Sequence, residues 1–302
     1  MGAFYNIGEK KVRPGVYRRY ENVGSSSTPG AIYGVFAMAI HSDIGPLATV
    51  STYGPEDIED FKKTYGTGGT IDAVLKLFEG GATKVFVYRL GTGGAKASAT
   101  LKASGDTELV TLTTKTETEK EFSVTVKSKL GSTSTKQLLV YEDTTLLETI
   151  EYETDTTDSA NLVSAVNESS DYLTAAKTAD GLVADVSNEK LTDGSAPTVN
   201  TESYSTAFAA LESFKWNAMV LDTVETTVHA LVKAYINRIF LEGALGVCYL
   251  GEPTTVAFDT RKAHAAAFND EKIIYLGSGY EDADGNKVDG YLSIATQAGI
   301  IG

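Results

Sequence analysis

Residues 70–90 read Thr-Ile-Asp-Ala-Val-Leu-Lys-Leu-Phe-Glu-Gly-Gly-Ala-Thr-Lys-Val-Phe-Val-Tyr-Arg-Leu, and they decide the fold class. Ile71, Val74, Leu75 and Phe78 recur at i, i+3, i+4 and i+7, the spacing of one helix face, with Thr70 placed to act as N-cap. Gly80-Gly81 ends that helix. Lys84 to Leu90 then follows as a nearly continuous apolar run, the pattern of a strand covered on both faces. A helix feeding such a strand is half of a βαβ unit, so right-handed crossovers and a largely parallel sheet are expected.

The same alternation continues on either side. Before residue 70, Ala31 to Ile40 reads as a buried strand. Gly54-Pro55 opens a helix with Ile58, Phe61 and Tyr65 on one face, and the glycines at 66, 68 and 69 stop it. The pattern resumes only after residue 200. Tyr204, Phe208 and Leu211 make a helix face, Ala218 to Leu221 a strand, and Asp222-Thr-Val-Glu225 a capping-box-like start. A long helix follows on Val228, Leu231, Val232, Tyr235, Ile236, Ile239 and Phe240. Leu245 to Leu250 and Lys272 to Leu276 are two more strands around a helix ending near Phe268, and Leu292, Ile294, Ala295 and Ala298 mark a last helix rich in small residues.

The middle differs in kind. Residues 101–200 hold 18 Asp and Glu against 8 Lys and no Arg, which accounts for most of the chain's net charge of -14, and their aromatics are Phe122, Tyr141, Tyr152 and Tyr172 alone. Glu108 to Thr114, Glu121 to Val126 and Gln137 to Tyr141 alternate Val, Leu, Thr and Phe with polar residues, as strands do, and Asn161 to Ala176 reads as one helix. The expected organisation is an α/β, discontinuous core with a mixed, largely parallel sheet and flanking helices, plus an inserted β-rich acidic domain. Its expected bounds are an N-terminal arm and linker at 1–29, core at 30–97, insert at 98–200 and core again at 201–302.

Composition and motifs remove several functions. At 302 residues and 42% hydrophobic the chain can bury a large core. Its longest apolar run, Ala31 to Ile40, is about half of the roughly 20 residues a spanning helix needs, and the N-terminus lacks an export pattern. A sequence pI near 4.7 argues against a phosphate-backbone binder, so nucleic acid and direct membrane insertion are not expected. The single cysteine, Cys248, sits in an apolar strand and reads as a buried, inert thiol.

Leu90-Gly-Thr-Gly-Gly94 follows a strand but lacks a full phosphate-binding pattern and reads as a turn. Asp282-Ala-Asp-Gly-Asn-Lys-Val-Asp289 offers calcium-like oxygens, yet its glycine is at the fourth place and no glutamate closes the loop, so a hairpin turn at Asp284-Gly285 fits better. His41, His229 and His264 belong to no metal or triad pattern, and His229 is expected to be partly exposed on its helix. Asp222, Gly251-Glu252 and Gly277 to Gly279 are strand ends where an α/β enzyme would hold a ligand. A small-molecule-binding or hydrolytic enzyme using the ends near Asp222 and Gly277 is therefore the alternative reading, and an adhesion module built on the acidic insert is a third. No catalytic, cofactor or metal set can be named.

The N-terminus is the remaining feature. Lys10-Lys-Val-Arg-Pro-Gly-Val-Tyr-Arg-Arg-Tyr-Glu21 is basic and β-prone, and a flexible Gly24-Ser-Ser-Ser-Thr28 tract follows it. Such an arm adds a strand to another subunit's sheet, or else is a disordered tail.

Arg13-Pro-Gly-Val-Tyr17, Gly80 to Leu90, Lys215-Trp-Asn-Ala-Met-Val-Leu221 and Ala266-Ala-Phe-Asn-Asp-Glu-Lys-Ile-Ile274, in this order around the insert, together resemble the contractile tail sheath proteins of bacteriophages and phage-tail-like bacteriocins, particularly those of Gram-positive hosts. The resemblance implies a structural, non-enzymatic subunit, assembled in the host cytoplasm, that polymerises around an inner tail tube and contracts. Other sheath subunits, the tube protein, the baseplate and the tail terminator would be its partners, and no cofactor is required. Lys11, Val12, Arg13, Pro14, Gly15, Val16 and Tyr17 would be the strand-exchange arm, Gly24 to Thr28 its hinge, and the insert would face outward. Family members usually continue beyond a segment like Tyr291 to Gly302, so a further C-terminal region with a second arm is expected.

Overall fold

The computed structural model describes residues 3–4, 17–18, 34–156 and 158–301. In chain order its elements begin with β1 (Ala3–Phe4), β2 (Tyr17–Arg18), β3 (Val35–Ile40), β4 (Val50–Tyr53), α1 (Ile58–Tyr65), α2 (Asp72–Gly80) and β5 (Lys84–Arg89). There follow β6 (Ser98–Lys102), β7 (Glu108–Thr114), β8 (Phe122–Ser128), β9 (Thr135–Glu142), β10 (Thr145–Glu153), α3 (Asp158–Ser169), β11 (Leu173–Lys177) and β12 (Val186–Lys190). The last block is α4 (Thr201–Leu211), β13 (Ala218–Leu221), α5 (Thr226–Leu241), β14 (Val247–Gly251), α6 (Phe258–Phe268), β15 (Ile273–Leu276), β16 (Tyr280–Glu281), β17 (Lys287–Val288) and α7 (Gly290–Ile301).

A six-stranded sheet in the order β15-β14-β13-β3-β5-β4 forms the core. All its neighbours are parallel except β4, which runs antiparallel to β5. The α/β, largely parallel architecture expected from residues 70–90 is thus present, and strands from both ends of the chain meet where β3 pairs with β13. β4 was not legible as a strand because Val-Ser-Thr-Tyr is short and polar, as an edge strand can be.

Side chains alternate between two helical layers. Phe36, Met38, Ile40, Val85 and Val87 pack under α1, α2 and α7, with Phe61, Tyr65, Val74, Leu77, Ile294 and Ala298 against them. Ala37, Ala39, Tyr88, Met219 and Leu221 face the other way, onto Tyr204, Phe208, Val232, Ile236 and Ile239 of α4 and α5. Cys248 is buried in this second layer, and burial pushes its thiol pKa well up, the inert thiol expected.

The middle residues form two antiparallel sheets, β10-β9-β8-β12 and β11-β7-β6, with α3 packed on them through Leu162 and Val166. The helix expected over Asn161 to Ala176 is corrected here. It spans Asp158–Ser169, and residues 173–177 form β11 beside β7, where Leu173 is buried and the polar groups of the strand find a ladder partner. The segments that lead into and out of this unit are themselves zipped. Thr92 pairs with Thr198, Ala95 with Ser195 and Ser98 with Thr192, each through reciprocal N–H···O bonds of 2.8–3.1 Å. Gly91, Gly93 and Gly94 take left-handed backbone angles at the start of this connector, so the turn read there is a sharp change of direction that side-chain-bearing residues resist.

α2 and α7 approach closely because both are bare where they cross. A Cβ on Gly299 would lie 2.3 Å from the Leu77 carbonyl oxygen, and one on Gly80 would lie 2.4 Å from that of Thr296. The small-residue pattern of the last helix therefore serves contact with α2. Gly299→Val should destabilise the fold by about 1–3 kcal/mol, read as a lower urea midpoint at unchanged slope; an unchanged midpoint would contradict this crossing.

Candidate functional site: the joint, the strand ends and the exposed apolar groove

Three places in the described residues combine unusual chemistry with a position that can matter for function. The first is Arg89, the last residue of β5 and fully buried. Its Nε donates to Ser42 O at 3.1 Å, its Nη1 to Gly45 O at 2.6 Å and its Nη2 to Glu117 O at 2.9 Å. Burial lowers its pKa, opposed by the nearby carboxylates of Glu117 and Asp43. The planar fork of a guanidinium is suited to this, since it offers several donors in fixed directions. The acceptors come from the loop after β3 and from residue 117 of the inserted unit, so one side chain ties core and insert together.

Ile44, from the same loop, is buried among the apolar residues of the insert, and Gly45 N–H donates to Thr116 Oγ1 at 3.3 Å. Around this fastening lies a cleft of about 510 Å³. Lys63 and Asp171 meet at its margin at 2.5 Å, and Lys120 reaches both Asp43 at 3.2 Å and Glu142 at 3.1 Å. Sequence reading missed Arg89 because it counted the residue within an apolar run. A charge inside such a run was the available signal.

The second place is the carboxyl end of the sheet, where an enzyme would hold a ligand. Asp222 is buried just after β13. Its Oδ2 accepts from His41 N–H at 3.1 Å and from the Thr70 hydroxyl at 2.6 Å and lies 2.7 Å from His41 Nδ1, while its Oδ1 accepts from the Tyr204 hydroxyl at 2.8 Å. Two expectations are corrected by this cluster. Asp222 does not open a capping box, because α5 starts at Thr226 with Glu225 before it and no side-chain cap. Thr70 does not cap α2, whose preceding residue is Ile71, because its hydroxyl is committed to Asp222 and accepts from His41 N–H at 2.9 Å.

The carboxylate's bonding positions are thus taken by the protein itself. It holds together β3, α2, α4 and β13 and is poorly placed to take a proton from a substrate. The hydrogen bond to Asp222 raises the pKa of His41 above its ordinary value, against a smaller lowering by burial.

At the next strand end, Glu252 accepts from Tyr275 OH and lies 2.8 Å from His264 Nδ1. Tyr275 stands edge-on to His229. His229 is buried rather than partly exposed, a third correction. Its Nε2 lies 3.1 Å from Thr223 O, and burial lowers its pKa. Helical spacing placed it beside Val228, yet the packing of α6 and β15 covers it. Gly277 packs against the Arg261 side chain. Asp282 to Asp289 form the hairpin of β16 and β17, with Gly285 at φ 82° and Asp282 accepting from the backbone of Asp284 and Asn286. Asp289 instead accepts from Thr254 N–H, 2.8 Å from its Oδ2, and the eight residues do not wrap one point. Among the described residues no group of three or more His, Cys, Asp or Glu side chains could hold a metal, and no helix is long and apolar enough to cross a membrane.

The third place is an apolar groove of about 330 Å³, walled by Phe214, Trp216, Tyr235, Ile239, Leu245 and the backbone around Gly246. Phe214 and Leu245 are exposed, and a Cβ on Gly246 would lie 2.4 Å from the Trp216 ring. Of the expected arm, Lys11, Val12, Arg13, Pro14, Gly15 and Val16 lie outside the described residues, as does the expected hinge at Gly24 to Thr28. Tyr17 begins β2, which pairs in parallel with β1, Ala3 opposite Tyr17.

Residues 197–302 match the family model described as the phage tail sheath protein central domain. The structure also superposes on the crystal structure of a sheath tail protein from Desulfitobacterium hafniense with a TM-score of 0.68 at 21% identity, covering 93% of this chain and 61% of that one. This is the fold of a phage tail sheath protein. A second sheath tail protein, from Listeria innocua, matches with a TM-score of 0.62 at 19% identity over 88% of this chain and 55% of that one. The chain therefore spans about three-fifths of the solved sheath proteins that it matches. No curated protein matches it. Two of the motifs behind the resemblance, at 215–221 and 266–274, fall inside the matched region and build β13, the end of α6 and the start of β15 of the sheath fold.

Arg89→Met should strand three carbonyls and lower stability by about 3 kcal/mol or more, with trypsin cutting faster at Lys96 in the connector; a wild-type denaturation curve would contradict the assigned joint. His41, with its raised pKa, contributes stability that is fully present below its ordinary value of about 6.5 and fades as pH rises through the raised value. The stability gap between wild type and His41→Gln should accordingly be larger at acid than at alkaline pH in urea titrations, and a gap that widens with pH would refute the coupling.

Proposed function

We propose that this chain is a structural, non-enzymatic part of a contractile tail sheath, which polymerises helically around an inner tube and drives the tube through a cell envelope. The observation that carries the proposal is the sheath central-domain match over residues 197–302, with the superposition on two sheath tail proteins in support. Contraction is a rigid-body switch between two sets of subunit contacts. A subunit suited to it keeps its own parts together while its neighbours shift. The buried Arg89 fork, Ile44 and the zipped connector provide that coherence between the core and the insert at 98–200.

In this proposal Lys11 to Tyr17 link one subunit to the next by strand exchange, Gly24 to Thr28 act as the hinge, and the acidic insert faces outward. The partners are other sheath subunits, the tube protein, the baseplate and the tail terminator, with assembly in the host cytoplasm. No cofactor takes part, because the free energy is stored in the metastable extended assembly. Net acidity helps to keep free subunits soluble.

Negative-stain electron microscopy of the full-length protein, alone and with its tube protein, should show rings or helical tubes. Monodisperse monomers in every buffer would overturn the proposal. Deleting residues 11–17 should abolish the assemblies while leaving the melting temperature unchanged, and intact tubes from the deletion would refute the arm assignment.

A further inference from the structure

We propose that the buried Lys136 and Asp158 side chains of the β-rich middle join to each other in an isopeptide bond, formed by the folded protein itself with loss of one water. Lys136, on β9, is 7% exposed, and Asp158, the first residue of α3, is 0% exposed. Lys136 Nζ stands 3.6 Å from Asp158 Oδ2 and 3.4 Å from Asp185 Oδ1. Both distances are long for a charge-assisted hydrogen bond, and a buried pair of charges contributes little over apolar residues of the same size. An amide between the two side chains leaves no charge on either.

The surroundings arrange the two groups for that reaction. Val183, from the apolar core of the same unit, holds both: its carbonyl oxygen accepts from Lys136 Nζ, and its N–H donates to Asp158 Oδ1 at 2.7 Å. The Thr154 hydroxyl donates to Asp158 Oδ2 at 3.2 Å. Oδ1 is thus placed as the oxygen that gathers negative charge, with an amide donor aimed at it, and Oδ2 as the one that leaves. Tyr152, opposite Lys136 in the β9–β10 ladder, has a buried hydroxyl with no hydrogen-bond partner. Burial, and then the charges of Asp158 and Asp185, push its pKa up, so it stays a proton-bearing group within the field of both carboxylates.

A proton passes from Nζ to Oδ2, which leaves a neutral amine and a neutral acid. The Nζ lone pair attacks Cγ, and the C=O electron pair moves onto Oδ1, where the Val183 N–H holds it. Asp185, half exposed, takes a proton from the cationic Nζ and returns it to Oδ2. The pair on Oδ1 restores the double bond, the Cγ–Oδ2 bond breaks, and Oδ2 departs as water. One N–C bond forms, one C–O bond breaks, and nothing is oxidised or reduced. Holding the partners together supplies the orientation that a free amine and carboxylate lack. The link fastens β9 to α3, so the β9–β10 hairpin cannot peel from the helix without breaking a covalent bond.

Intact-mass spectrometry of the purified full chain tests this without any variant and whether or not the protein assembles. The protein should be one water lighter than its sequence. Trypsin should leave residues 130–177 as one piece uncut at Lys136, and further cleavage at the glutamates between 142 and 153 should release a branched peptide joining Lys136 to Asp158. Lys136→Arg should have its full sequence mass. Asp185→Asn should be recovered with a several-fold lower linked fraction that rises on storage at neutral pH, and full linkage in that variant would remove Asp185 from the proton transfer. A wild-type mass equal to that of the sequence, with trypsin cutting after Lys136, would overturn the inference. So would a water loss that maps to Asp180-Gly181, Asp193-Gly194 or Asp284-Gly285, where succinimides form and hydroxylamine cleaves.

Discussion

A guanidinium cut off from water must be given acceptors, and Arg89 receives three backbone carbonyls from two different parts of the molecule. This constraint shapes much of the surroundings. The loop after β3 has to turn its Ser42 and Gly45 carbonyls inward, and Gly45, at φ 112°, adopts a left-handed angle on that path. A Cβ there would lie 2.5 Å from the Tyr65 ring, so the loop, the end of α1 and the end of β5 are adjusted to one another. The insert is then held by its Glu117 carbonyl and by Ile44. The β-rich middle is thereby fastened to the six-stranded sheet by contacts beyond its two connecting segments.

Asp222 plays the corresponding part at the carboxyl ends of the parallel strands. This edge of an open α/β sheet is where side chains converge from several crossovers, and enzymes use it for that reason. Here the convergence is internal: His41, Thr70 and Tyr204 all point at one buried carboxylate. The same topology that makes active sites elsewhere makes a structural knot here.

The two faces of the central sheet are covered by helices, with glycines at the α2–α7 crossing allowing backbone contact. The apolar groove at Trp216 lies beside Asn217, which clasps Val35 at the start of β3.

The helical faces, the buried strands and the break in composition near residues 100 and 200 were legible because they depend on local periodicity and on the solvation of charge, which neighbours along the chain determine. Tyr204, Phe208 and Leu211, or Val85, Val87 and Leu90, carry their burial in their spacing. The strand order, the antiparallel edge β4, the end of α3 at Ser169, the burial of His229 and the use of Thr70 and Asp222 could not be read this way. Thr70 at a helix start and Asp222 after a strand are ordinary capping residues by local rules, and only the meeting of segments 152 residues apart turns them on each other. Sequence alone determined the α/β class, the β-rich middle and the sheath resemblance. Tertiary structure decided which polar side chains are knots and where the groove lies, because a hydrogen bond between distant residues depends on where the sheet places them and leaves no periodic trace in the chain.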